Sequence, residues 1–179
     1  ACDLQIENSQ VMRTGSRFTL KLGSRRYTVE LPLIGEHNIM NAAGALAVAY
    51  SLGISVKDSV AALKDFKGVP GRLEQIAGAQ KFEVLVDYAH TDESLRQTLQ
   101  ALRKIYTGRI ITVFGCGGNR DQTKRARMTA VAMALSNLTI ATTDNPRREQ
   151  LKDIFKMMRT GVVAGKQIEF IESRREAIE

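Results

Sequence analysis

The 179-residue chain has no tryptophan, three prolines and two cysteines, and aromatic residues make up only 6% of it. With so few stacking rings, no basic stretch interleaved with them, and no helix-turn-helix, zinc-finger or RNA-recognition signature, nucleic acid is a poor candidate partner. Cys2 and Cys116 cannot build a disulfide framework, and no Cys/His cluster has zinc-ligand spacing. No metal site is expected, and a reducing cytoplasm is the expected setting. The longest apolar run lies within residues 42–50, too short for a membrane span, and no basic-then-apolar leader opens the sequence.

What is present matches a folded globular chain, with 44% hydrophobic and 25% charged residues. Lys plus Arg (26) exceed Asp plus Glu (19), giving a net charge of +7. That excess suits a phosphorylated or carboxylated small molecule, and equally suits solvated helix faces.

The pattern changes along the chain. Phe18, Leu20 and Leu22 alternate with polar residues, Gly23-Ser24 turns, and Tyr27, Val29 and Leu31 alternate again, which predicts a β-hairpin. Residues 4–6 and 11–12 are expected to add shorter strands. Residues 38–52 form an alanine-rich helix stopped by Gly53, and a second helix capped by Ser55 with Asp58 runs toward Gly68. Gly68-Val69-Pro70-Gly71 then punctuates the chain, and the expected domains are 1–71 and 72–179.

Strands and helices alternate after that point. Strands are expected at 82–86, 109–114, 138–142 and 167–171, with helices at 91–105, 123–135 and 149–158 and another starting at 173. The fold class is therefore α/β: a Rossmann-like, doubly wound, mostly parallel sheet with helices on both faces, preceded by a partial domain of hairpin, meander and two helices. Both ends read as those of an excised piece.

In parallel sheets ligands bind beyond the carboxyl ends of the strands. Three such ends are unusual here: Asp87-Tyr88-Ala89-His90-Thr91, Gly115-Cys116-Gly117-Gly118-Asn119-Arg120-Asp121 and Asp144-Asn145-Pro146-Arg147. The glycine loop fails the dinucleotide fingerprint, because Arg120 occupies the third glycine position, and the chain holds no G-x-x-x-x-G-K-[ST] sequence. The loop reads either as a tight strand-to-helix turn or as an anion site in which Arg120 pairs with a ligand. Asp144, Asn145, Pro146 and Arg147 offer a carboxylate for an ammonium, an amide, a stiffened turn and a guanidinium for a carboxylate. They would suit an amino-acid zwitterion, or simply start a helix with Asp144 as its cap. Cys116 reads as a small loop residue and not a nucleophile.

Together, Gly35-Glu36-His37-Asn38-Ile39-Met40-Asn41-Ala42-Ala43, Val69-Pro70-Gly71-Arg72-Leu73-Glu74 and the three strand-end sequences resemble, in order and spacing, the Mur ligase family. The resemblance covers nearly the whole chain. It implies that His37, Asn38 and Asn41 lie near the adenine of ATP, that Arg72 contacts the nucleotide from the linker, and that Asp87 binds the ribose, with His90 nearby. Without it, His37 could be a structural residue ahead of a helix and Asn41 a surface one.

The resemblance also implies an ATP- and magnesium-dependent amide ligation on a UDP-muramoyl dipeptide in the cytoplasm. The Asp-Asn-Pro-Arg form of the motif is similar to that associated with meso-diaminopimelate, so Arg147, assisted by Arg120, would hold its distal carboxylate. The family's P-loop, carboxylated lysine and UDP-binding domain are not in this chain, so no catalytic residue is assigned and the piece alone is expected to be inactive. Asn119 departs from the Asp of many relatives. The alternatives are a non-catalytic module for an anionic ligand and a ligase like folylpolyglutamate synthetase; an upstream P-loop would exclude the module.

Overall fold

A computed structural model describes residues 4–179, so Cys2 lies outside the described residues. The chain divides into two compact units between Tyr88 and Ala89.

In the first unit β1 (Leu4–Met12), β2 (Gly15–Leu22) and β3 (Arg25–Leu31) form an antiparallel meander. The alternation that predicts the hairpin is the alternation of burial: Phe18, Leu20, Val29 and Leu31 point inward, onto Ile39, Ala42, Leu46 and Val56. Residues 4–6 and 11–12, expected as separate strands, belong to one strand. The register shifts between Glu7 and Gln10, where Asn8 turns left-handed at φ 51°, so the polar residues between the apolar ones are absorbed by a bulge.

Helix α1 (Glu36–Ser51) covers the meander and ends at Gly53, whose φ of 80° lets Gly53 N–H and Ile54 N–H reach back to the Tyr50 and Ala49 carbonyls. Helix α2 (Val56–Lys64) stops short of the expected end, leaving Phe66 40% exposed. Ser55 occupies its N-cap position, but the hydroxyl makes no capping bond; Ser59 Oγ instead donates to the Ser55 carbonyl. The expected Ser55/Asp58 cap is corrected accordingly.

A second correction concerns residues 82–86. Only β5 (Val84–Val86) is extended, and it pairs antiparallel with β4 (Glu74–Ile76), not with the parallel sheet. Phe82 is 69% exposed, and the nearby β4 is a partner that requires only a short loop to close.

The second unit follows the expected alternation: α3 (Asp92–Ile105), β6 (Ile111–Phe114), α4 (Lys124–Leu135), β7 (Leu138–Thr142), α5 (Leu151–Arg159), β8 (Ile168–Ile171) and α6 (Arg174–Ile178). The sheet is parallel in the order β6-β7-β8. Helix α4 packs between α3 and α5, and these three bury Leu95, Leu99, Met128, Val131, Ile154 and Met158 against Phe114 and Ala141. Helix α6 touches β7 and β8. The expectation of helix cover on both faces does not extend to β6, where Thr112 and Phe114 face inward while Ile111 and Val113 are 50% and 38% exposed.

Candidate functional site

The loops after β6 and β7 meet, and glycine makes the meeting possible. A Cβ on Gly118 would overlap the Pro146 carbonyl oxygen, and one on Gly115 would sit 2.8 Å from Asp144 N. Gly118 N–H donates to the Asn145 carbonyl at 2.8 Å. The glycines therefore serve a close approach between two backbones, a use that the tight-turn reading did not include.

Asp144 is exposed and does not cap a helix, since the N-cap of α5 is Gln150. Its carboxylate faces Arg174 at 3.9 Å. Asn145 Oδ1 accepts the Arg147 N–H at 3.1 Å, an Asx turn that holds Arg147 in the left-handed region at φ 51°. Pro146 accepts the Glu149 N–H through its carbonyl. From Arg147, Nη1 donates to the Gly118 carbonyl at 2.8 Å and the Asn145 carbonyl at 3.4 Å. Nε and Nη2 make no bond among the described residues. Arg120 is exposed and has no hydrogen bond or ion pair among the described residues. Arg120, Asp144, Asn145, Pro146 and Arg147 thus share one loop cluster beyond the strand ends.

Sequence reasoning missed the pair beneath this cluster. Arg125, on the first turn of α4, is fully buried and holds Glu149 bidentately, Nη1 to Oε2 at 2.8 Å and Nη2 to Oε1 at 2.9 Å. Glu149 Oε1 also accepts the Asn119 N–H. The Arg125 bonds, reinforced by the Asn119 amide, hold the Glu149 carboxyl below the usual carboxylate range. The available signal was position: Arg125 lies on the same face of α4 as Met128, Thr129 and Ala132, where an apolar residue is expected. Burial pushes the Cys116 thiol up to about 11, consistent with an inert packing residue.

The residues assigned to the nucleotide are dispersed through the first unit, apart from His90. His37 is exposed and its ring folds over Gly35, whose φ is 111°. Asn38 is buried and donates to the Ile34 carbonyl at 2.9 Å, a structural role, while Asn41 is exposed on α1. Arg72 lies 5.1 Å from the Tyr88 ring centroid, and Asp87 Oδ2 accepts the Leu73 N–H at 3.0 Å. Arg72 lines a cavity of about 330 Å³ with Lys67 and Pro70, and none of His37, Asn38, Asn41 and Asp87 lines it. A larger concavity of about 1120 Å³, edged by Lys21, Arg25, Tyr50 and Lys57, holds none of the expected residues. In the second unit Lys124 Nζ donates to the His90 carbonyl at 2.7 Å, tying that loop to the start of α4. Among the described residues no three His, Cys, Asp or Glu side chains gather to hold a metal, and no helix is long and apolar enough to cross a membrane.

Comparison with known proteins agrees with the family resemblance. The family described as "Mur ligase, glutamate ligase domain" matches residues 71–179. The UDP-N-acetylmuramoyl-L-alanyl-D-glutamate–2,6-diaminopimelate ligase of Halalkalibacterium halodurans is 39% identical over 98% of this chain and 36% of its own length. That of Gloeobacter violaceus is 40% identical with the same shares covered. A solved structure of a ligase of that name superposes with a TM-score of 0.68 at 36% identity, over 99% of this chain and 37% of the other. Folylpolyglutamate synthase from Thermotoga maritima shares the fold, with a TM-score of 0.77 at 23% identity over 98% and 41%. The chain spans a little over a third of the length of these curated relatives. Because the family match covers more than half of its residues, the chain belongs to the Mur ligase family.

Proposed function

We propose that the chain is the carboxyl-terminal part of an ATP-dependent ligase that joins meso-diaminopimelate to UDP-N-acetylmuramoyl-L-alanyl-D-glutamate in peptidoglycan synthesis. The observation that carries the reading is the Asp144–Arg147 turn, held against the glycine loop with two guanidiniums, Arg147 and Arg120, beside it. A diamino diacid has a distal carboxylate and ammonium, and the turn offers a partner for each. A charge-assisted bond of this kind contributes about 1.5–3 kcal/mol, which favours a ligand with that carboxylate over lysine by about 10- to 150-fold. The same relatives, so named, support the acceptor and the amino acid.

ATP supplies the phosphoryl group that turns a poor carboxylate electrophile into one with a good leaving group, with magnesium balancing its charge. Toward it, Arg72 presents a guanidinium near the Tyr88 ring, and Asp87 presents a carboxylate whose Oδ2 accepts the Leu73 N–H. His37, Asn41 and His90 remain proposed nucleotide contacts; Asn38 would act by fixing the start of α1. The proposed domains remain 1–71 and 72–179; the family match starts at residue 71, and the compact units divide between Tyr88 and Ala89. The 179-residue chain, with no P-loop of its own, is expected to turn over no ATP. The test is a ligation assay on the full-length protein. Diaminopimelate should be preferred over lysine by at least tenfold, and Arg147→Ala should raise the KM for the amino acid more than tenfold with little change for ATP. Equal use of lysine would overturn the substrate assignment.

A further inference from the structure

The Arg125–Glu149 contact is an uneconomical way to fill space. The Arg125 side chain has no exposed surface, its Nε has no partner among the described residues, and it occupies the apolar side of α4. Taking an ion pair out of water is commonly no more stabilising than packing apolar side chains of equal volume, so stability alone does not account for it. Its connections are informative. Arg125 Nη2 also donates to the Gly117 carbonyl at 3.3 Å, and Nη1 touches Met157 Sδ on α5 at 3.0 Å. Glu149 takes the Asn119 amide, and Asn119 Oδ1 in turn accepts the Arg148 N–H at 3.0 Å. One buried guanidinium and one carboxylate therefore hold α4, the glycine loop and the segment leading into α5 in a single arrangement. Arg147 depends on it, because its guanidinium is bonded to the Gly118 carbonyl of the loop so held.

We propose that Arg125 and Glu149 are a positioning pair that sets the glycine loop and the Asp144–Arg147 turn in register for the incoming amino acid, without touching it. The proposal rests on the reading of this site as the amino-acid site. A pair with a merely structural role would lower stability or affect both substrates alike. A positioning pair separates them.

The experiment compares wild type with Glu149→Gln in the full-length protein, measuring KM for the amino acid at saturating ATP, KM for ATP at saturating amino acid, and the melting temperature. Glu149→Gln retains shape and one acceptor but removes the charge. The expected result is a rise of fivefold or more in the amino-acid KM with the ATP KM within twofold of wild type. An amino-acid KM that rises less than fivefold, or an ATP KM that rises with it, overturns the proposal. If Glu149→Gln does not yield folded protein, Glu149→Asp takes its place, since it keeps the charge but, one methylene shorter, gives up the bidentate reach to Arg125. The same fivefold criterion then applies. The wild-type preference among amino acids tests the substrate reading separately. If wild type favours an amino acid other than diaminopimelate, the ratio of variant to wild-type KM for that amino acid still decides the role of the pair.

Discussion

Alanine at Gly118 would place a methyl group on the Pro146 carbonyl, and a backbone atom cannot swing aside as a side chain could. Gly118→Ala should therefore destabilise the second unit by about 1–3 kcal/mol, read as a lower melting temperature. It should also weaken amino-acid use through the displaced Arg147. Cys116 makes the opposite point. Its thiol is 3% exposed and its pKa is raised to about 11, so in the native protein at pH 8 it should resist iodoacetamide and react only on unfolding, as peptide mass spectrometry would register. These residues differ in how far the sequence exposes their roles. The glycine cluster was visible, but its contact partner lies in another loop, and a sequence pattern carries no information on which loops meet. Asp144-Asn145-Pro146-Arg147 stood out in the sequence by its side chains, whereas its backbone form, an Asx turn with a left-handed arginine in place of a helix cap, emerges only in the fold. Arg125 was legible in principle as a charge on an apolar stripe, and its partner was not.

Two helix starts with similar sequences behave differently. At α3 the Thr91 hydroxyl accepts the Ser94 N–H at 3.1 Å and Ser94 Oγ accepts the Thr91 N–H at 3.1 Å, a reciprocal cap; at α2 the Ser55 hydroxyl makes no such bond. Thr91→Ala should cost about 1 kcal/mol, or about 4–8 °C in melting temperature for a unit of this size, while Ser55→Ala should be close to neutral. Parallel thermal melts of the two variants decide it, and equal losses would contradict the geometry. The elements themselves were readable where one period dominates: the β2–β3 alternation, the Leu95, Leu99, Leu102 face of α3, and the β6-α4-β7-α5-β8 succession. They were misread where a local device interrupts the period. The bulge at Asn8 made one strand look like two, and apolar content in residues 82–86 hid a three-residue strand whose neighbour is β4. Strand pairing is a long-range choice, and Val84, Leu85 and Val86 suit a half-exposed hairpin as readily as a buried sheet.

For the whole chain, the order of five motifs conveyed more than any element, because the motifs span both units, and a relative is similar along 98% of the sequence. Architecture was only partly legible. The loops after β6 and β7 converge at the strand ends, but His37 and Asn41 lie on a helix of the first unit, outside the cavity that Arg72 lines. The strand β6, last in its sheet and bearing Ile111 and Val113 outward, has a consequence for handling the 179-residue protein. Among the described residues no further strand pairs with this parallel margin, and such margins are templates for strand addition, so light scattering should rise with concentration, and a lysine introduced by Val113→Lys should suppress it by charge repulsion. Scattering that stays flat in the unaltered protein would mean that the margin does not recruit.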